Sequence, residues 1–218
     1  MSIRREILDS LLARVEGELF HGKVLDIGGK RAHWRGRWRP SDESKTQWDY
    51  LNIDPETRPD FVRSAEASGL ESESYDGFLM CELLEHVEEP DLVLAEAKRL
   101  LRPGAPGFLT MPFLGQVHGD PEDYQRWTST KFRLALENAG FEVVQIEPMG
   151  SVFSVVFDLF VASTVRWQQM GSNKLGMRIV SLGLRTSRPL WLSLDRMAIP
   201  FAQWITTGWA ATVKVPTS

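Results

Sequence analysis

Between Phe113 and Thr128 the chain gathers His118, Asp120, Asp123, Tyr124, Arg126 and Trp127 into one polar stretch, FLGQVHGDPEDYQRWT. Histidine titrates near neutral pH and can take a proton from an attacking hydroxyl. His118 is therefore the candidate catalytic base, with Asp120 or Asp123 to orient its imidazole. Tyr124 and Arg126 are the candidate substrate-binding side chains of the same stretch. An imidazole and two carboxylates could also ligate a metal, but the spacing of His118, Asp120 and Asp123 is not diagnostic, and no metal is expected. A plainer alternative stays open, in which Asp–Arg contacts stitch the loop together ahead of a helix capped by Thr128.

A second group lies near the N-terminus, in KVLDIGGKRAHWRGRWRP, Lys23 to Pro40. An apolar run ends in Asp26 and is followed by Gly28 and Gly29. Glycine at such a turn lets backbone approach a ligand, and the acidic residue before it can accept hydrogen bonds from an amine or a ribose. The dinucleotide fingerprint fails, because Lys30 and His33 stand where its later glycines belong. Asp54 ends the next apolar run, WDYLNID, and a carboxylate there can grip both ribose hydroxyls. It lies farther from the glycines than the usual spacing of about 20 residues, with a long loop to account for the excess. Within that loop Arg31, Trp34, Arg35, Arg37, Trp38 and Arg39 admit three readings. They pair with an anionic acceptor, with Arg35 and Arg37 as substrate-binding candidates; they lie on an anionic membrane; or they form a solvated loop with its tryptophans tucked onto the core.

These residues need a frame that brings strand ends together. KVLDI, WDYLNID, YDGFLMCE, PGFLTMPF, FEVVQIEP and GWAATVKV read as strands. DLVLAEAKRLL, stopped by Arg102-Pro103-Gly104, and STKFRLALENA, capped by Thr128 and stopped by Gly140, read as helices. Alternation of this kind predicts a parallel sheet covered on both faces, with ligands beyond the carboxyl ends of its strands. Gly28, Asp54, Glu82 and Pro112 all fall there. Residues 1–20 form an amphipathic helix, with Ile3, Ile7, Leu8, Leu11, Leu12, Val15 and Leu19 at helical spacing. Residues 151–205 break the rhythm with two or three apolar segments carrying Trp and Arg, and read as a helical insertion, or cap, before the last strand.

The totals set outer limits. A chain of 218 residues, 43% hydrophobic, suits one domain over residues 1–218. A net charge of −4 argues against a general nucleic-acid partner. The single cysteine, Cys81, makes no internal disulfide, so no oxidising compartment is required. No apolar run reaches the ~20 residues that span a bilayer. The expected setting is cytoplasmic, with peripheral membrane contact or a homodimer as uses for the apolar insertion.

The order VLDIGG, NID, SAEA, SYDGFLMCELLEHV, AKRLLRPGAPGFLTMPF and LENAGFEVVQIEP resembles the class I S-adenosylmethionine-dependent methyltransferases, in their small-molecule and sugar-type branch (methyltransferase type 11-like). The resemblance covers about residues 23 to 148 and the final strand. It implies a Rossmann-like α/β fold, with a mostly parallel seven-stranded sheet, helices on both faces and the C-terminal helical insertion. It implies S-adenosylmethionine as cofactor, with Asp26, Gly28 and Gly29 against its methionine end and Asp54 on its ribose. Ser64, Ala65 and Glu66 would frame the adenine, and Cys81 and Glu82 would line the sulfonium side. Glu85-His86 matches a pair that helps build the turn after the fourth strand. The sequence departs from the pattern at Lys30 and Ala32, usually glycines, and at Ser64, usually an aspartate.

The implied activity is methyl transfer to a small-molecule acceptor, with a hydroxyl of a saccharide or glycolipid intermediate as the preferred target. The departures support an alternative, a weakly active or inactive binding or scaffold protein on the same fold, peripheral to a membrane.

Overall fold

The computed structural model describes residues 2–32, 36–40, 46–119, 122–170 and 174–217. Helix α1, Ile3–Leu19, begins where the Ser2 hydroxyl accepts the Arg5 N–H. It leads into β1, Gly22–Ile27, then β2, Thr46–Asn52, the two-residue β3, Phe61–Val62, and β4, Gly77–Cys81. Helix α2, Pro90–Leu100, opens on proline, whose fixed φ suits a first helical turn. Strand β5, Pro106–Pro112, follows, then α3, Ser129–Asn138, capped by the Thr128 hydroxyl, and β6, Glu142–Pro148. Helices α4, Val152–Gln169, and α5, Lys174–Ala198, precede β7, Gly208–Lys214.

The seven strands lie in the order β3-β2-β1-β4-β5-β7-β6, with β7 antiparallel to both β5 and β6 and the other pairings parallel. The expected sheet, mostly parallel and seven-stranded, is present. Alternate strand residues face opposite layers. On one face Leu25, Phe78, Met80 and Leu109 pack under α2 and α3 through Val93, Ala97, Phe132 and Leu136. On the other, Val24, Tyr50, Leu79 and Phe108 meet Leu8, Leu11, Leu12 and Val15 of α1. The carboxyl ends of β1, β2, β4 and β5 therefore open between the two layers.

Several boundaries differ from the sequence reading. Strand β2 stops at Asn52, and Asp54 instead caps a 3-10 turn, Pro55–Thr57. Strand β3 was too short to show as a pattern. The two apolar segments after residue 174 fuse into one helix that carries Pro189 inside it. Two carboxylates, the half-buried Asp158 of α4 and the buried Asp195 of α5, fasten these helices. Asp158 accepts the N–H groups of Ile3 and Arg4 at the start of α1, and Asp195 accepts those of Ser151 and Ser154.

Candidate functional site

The turn after β1 is built by three residues together. Gly28 has φ +83° and donates to the Leu51 carbonyl at 2.7 Å. A Cβ on Gly29 would stand 2.2 Å from the Asp26 carboxyl carbon, so glycine is what lets that carboxylate lie against the turn. The Asn52 side chain then ties β1 to β2. Its amide donates to the carbonyls of Gly28 and Gly29, each at 2.9 Å, and its oxygen accepts the Asp54 N–H at 3.0 Å. Asp54 is exposed, and one carboxylate oxygen accepts the Glu56 N–H at 2.9 Å. Asn52 escaped the sequence reading, although its place at a strand end two residues before Asp54 was a usable signal.

A cavity of about 160 Å³ is lined by Asp26, Gly28, Gly29, Trp38, Cys81 and Glu82, among others. Burial pushes the Asp26 carboxyl up to about 7. A cationic amine would relieve that, so the residues present fit the ammonium end of an amino-acid-like ligand. Burial, aided by Asp26, pushes the Cys81 thiol up, so it stays protonated and lines the wall. Ser64 and Glu66 close on each other, the hydroxyl donating to the carboxylate at 3.0 Å. Ser64, Ala65, Glu66 and Asp54 do not line this cavity, which accommodates part of a cofactor of this size.

The arginine–tryptophan stretch contributes a wall. Trp38 packs edge-on against Trp48 and donates to Glu16 of α1 at 3.1 Å. The Arg31 guanidinium pairs with Asp60 and stacks over Tyr50, which makes it an internal brace. Arg37 faces a separate cavity of about 340 Å³, beside Arg185 and Arg188 of α5. Trp34 and Arg35 lie outside the described residues.

A larger cavity, about 430 Å³, opens beyond β4 and β5. Its lining includes Arg4, Glu82, His118 and, from α4, Leu159, Ala162 and Val165. Arg5, Leu8 and Glu82 line this cavity and the smaller one, so the two meet at the end of β4. Glu82 holds a left-handed backbone, φ 56°, rare for a residue with a side chain. Its carboxylate accepts the Thr110 hydroxyl at 2.8 Å and pairs with Arg4, whose guanidinium burial lowers to about 10. Arg4 comes from the N-terminal helix, and nothing in its sequence context marked it for the site.

The loop after β5 is clamped from within. Asp123 accepts the His118 N–H at 2.8 Å and pairs with Arg126. Burial works against its charge, but Arg126 and the His118 N–H hold it below the usual carboxylate range. Arg126 also donates to the Gln125 carbonyl, so its guanidinium serves the loop. The His118 ring lies 3.7 Å from the Asp123 carboxylate and edge-on to His86 at 5.2 Å. Burial and the His86 neighbour lower the His118 imidazole from its ordinary value. Tyr124 is exposed, and its backbone N–H holds the Glu85 carbonyl at 2.8 Å. Asp120 lies outside the described residues. The structure thus brings His118 and Asp123 together at one cavity mouth, and Asp26, Gly28, Gly29, Cys81 and Glu82 around the other.

Residues 42–109 match the family model described as a methyltransferase domain, beginning after the glycine turn and ending within β5. No curated protein matches the chain by sequence. Among solved structures, a SAM-dependent methyltransferase from Archaeoglobus fulgidus aligns with TM-score 0.59 at 14% identity, over 96% of this chain and 94% of that one. The 1,6-didemethyltoxoflavin-N1-methyltransferase of Burkholderia thailandensis, solved with its substrate and S-adenosylhomocysteine, aligns with TM-score 0.55 at 14% identity, over 98% and 78%. The [4+2]-cyclase SpnF aligns with TM-score 0.58 at 16% identity, over 97% and 80%. The chain has the fold of the class I S-adenosylmethionine-dependent methyltransferases, and its residues 42–109 match a methyltransferase-domain family model.

Proposed function

We propose that this chain transfers a methyl group from S-adenosylmethionine to a hydroxyl of a saccharide or glycolipid intermediate. The observation that carries the reading is the pair of cavities meeting at Glu82, one against the glycine turn and one against His118 and α4. When bound, S-adenosylmethionine supplies an electrophilic methyl on a sulfonium sulfur. Asp26 would receive its ammonium group, Asp54 its ribose hydroxyls and the Ser64–Glu66 turn its adenine edge. Glu82 and Cys81 would stand on the sulfonium side. His118, with the Asp123 carboxylate 3.7 Å from its ring, would take or direct the acceptor's proton as oxygen attacks carbon. The rest of the rate would come from orientation within a closed cavity.

The acceptor class is inferred from the far wall. Leu159, Val161, Ala162 and Val165 of α4 line the large cavity, α4 and α5 leave Phe160, Trp167, Leu182 and Met197 exposed, and Trp204 is exposed just beyond α5. Arg37 and Arg185 line the neighbouring cavity beside Arg188, which pairs with Glu6, a setting that suits a phosphate on a lipid carrier. A lipid-linked sugar offers all three features: a hydroxyl, an anionic link and an apolar tail. Methyl transfer from labelled S-adenosylmethionine into organic-extractable lipid-linked saccharide is the expected readout. Arg37→Ala should lower the acceptor kcat/KM about tenfold or more, a loss of about 1.4 kcal/mol, with S-adenosylhomocysteine binding unchanged. Equal loss of both would remove the acceptor assignment. SpnF, a cyclase, has a similar fold, so fold by itself does not assign methyl transfer.

A further inference from the structure

We propose that Glu85, His86 and His118 bind one divalent transition-metal ion at the inner end of the larger cavity. The Glu85 side chain is 0% exposed, and neither carboxylate oxygen has a hydrogen-bond partner among the described residues. A buried carboxylate normally has its hydrogen bonds met, because an unmet charge is costly to hold away from water. The nearby cations are already engaged: Arg4 pairs with Glu82 and Arg126 with Asp123. Burial disfavours a charge on the Glu85 carboxyl, and a bound cation would remove that cost.

Two imidazoles face that carboxylate. The His86 Nδ1 sits against the Glu122 carbonyl, which fixes the proton on Nδ1 and turns the Nε2 lone pair inward, 3.7 Å from Glu85 Oε1. Holding the outer ring nitrogen on a carbonyl is the usual support for a metal-bound histidine. One donor atom from each of Glu85, His86 and His118 lies within 4.8 Å of the others. Ligands about 2.0–2.2 Å from a zinc ion stand about 3–3.5 Å apart, so a small contraction completes the set. The donors come from two separate loops, after β4 and after β5, which is why sequence spacing carried no metal signal. Two nitrogens and one oxygen suit Zn²⁺, Co²⁺, Mn²⁺ or Fe²⁺ better than Mg²⁺ or Ca²⁺.

Three protein ligands leave a coordination position free, and His118 lines the cavity, so that position opens toward the acceptor. There the ion would bind the acceptor hydroxyl and acidify it, its proton passing to water in the open cavity as oxygen takes the methyl and the methyl–sulfur bond breaks. His118 would act as a ligand of the metal and not as the base. That role rests on the methyl-transfer reading; the binding itself does not. The test is titration of Co²⁺ into untagged, chelator-treated full-length protein, read by visible absorption, with S-adenosylhomocysteine binding measured on the same samples. The expected result is one Co²⁺ per chain, weakened at least about tenfold by Glu85→Gln and by His118→Ala. His118 is partly exposed, so its variant keeps the test decisive if Glu85→Gln does not fold. No Co²⁺ bound at millimolar concentration, or binding equally tight in folded variants, overturns the site. Cofactor binding without Co²⁺ would reject the metal and leave the methyltransferase reading standing; Co²⁺ without cofactor would do the reverse.

Discussion

Asp26 shows how one side chain can serve binding at the expense of stability. Its carboxyl is raised from 3.8 to about 7 by burial. The unfolded chain therefore releases this proton first, and native stability falls as pH rises between those two values. Asp26→Asn removes that dependence. Its melting temperature relative to wild type should be higher at about pH 8 than at about pH 5, while S-adenosylhomocysteine binding weakens about tenfold or more. Thermal melts at the two pH values, paired with calorimetry, check both halves. A variant that loses stability at both pH values and still binds would remove Asp26 from the cofactor site. Other candidate residues fall into different places. Arg126 and Arg31 are bound within the protein, whereas His118 and Glu82 face cavities.

At the scale of elements, the loop after β3 is fastened to α2 by one carboxylate. Glu96 accepts the Ser68 N–H at 2.9 Å and pairs with Arg99, which holds it at about 2. Glu96→Gln should cost about 1–3 kcal/mol near neutral pH by denaturant melts. A depressed carboxyl stabilises above its unfolded value of 4.5, so this difference should shrink as pH falls toward 2. An unchanged melt at neutral pH would mean the contact is not holding the loop. Strands and helices of this kind were legible because alternation, caps and glycine stops are local: Thr128 caps α3, and Gly140, φ +86°, ends it. Three things were not legible, and each depends on distant partners. Asn52 acts across β1, Arg4 reaches Glu82 from the first helix, and Glu85 and His118 meet only when two loops fold together. Fusion of the two segments around Pro189 was also hidden, because proline ordinarily stops a helix.

At the scale of the whole molecule, basic and exposed apolar side chains gather on α5. The chain carries a net charge of −4, yet the α5 face bears Arg178, Arg185, Arg188 and Arg196 beside exposed Met197, with Phe201 and Trp204 just beyond it. Among the described residues no helix is long and apolar enough to cross a membrane. A basic, apolar face of this kind suits an anionic bilayer surface. The full chain should co-sediment with phosphatidylglycerol vesicles at low salt and release at high salt, and the Phe201→Ser/Trp204→Ser double variant should stay in the supernatant. Equal sedimentation of both proteins, or concentration-dependent dimers that lose vesicle binding, would assign the face to something other than lipid. The fold, the glycine turn and the cavity pair all converge on one ligand, and its binding is the most direct test. Calorimetric titration of S-adenosylhomocysteine into the full chain should show one site, with affinity lowered about tenfold or more by Asp54→Ala, equivalent to about 1.4 kcal/mol. No heat and no thermal shift at millimolar ligand would contradict the methyltransferase assignment.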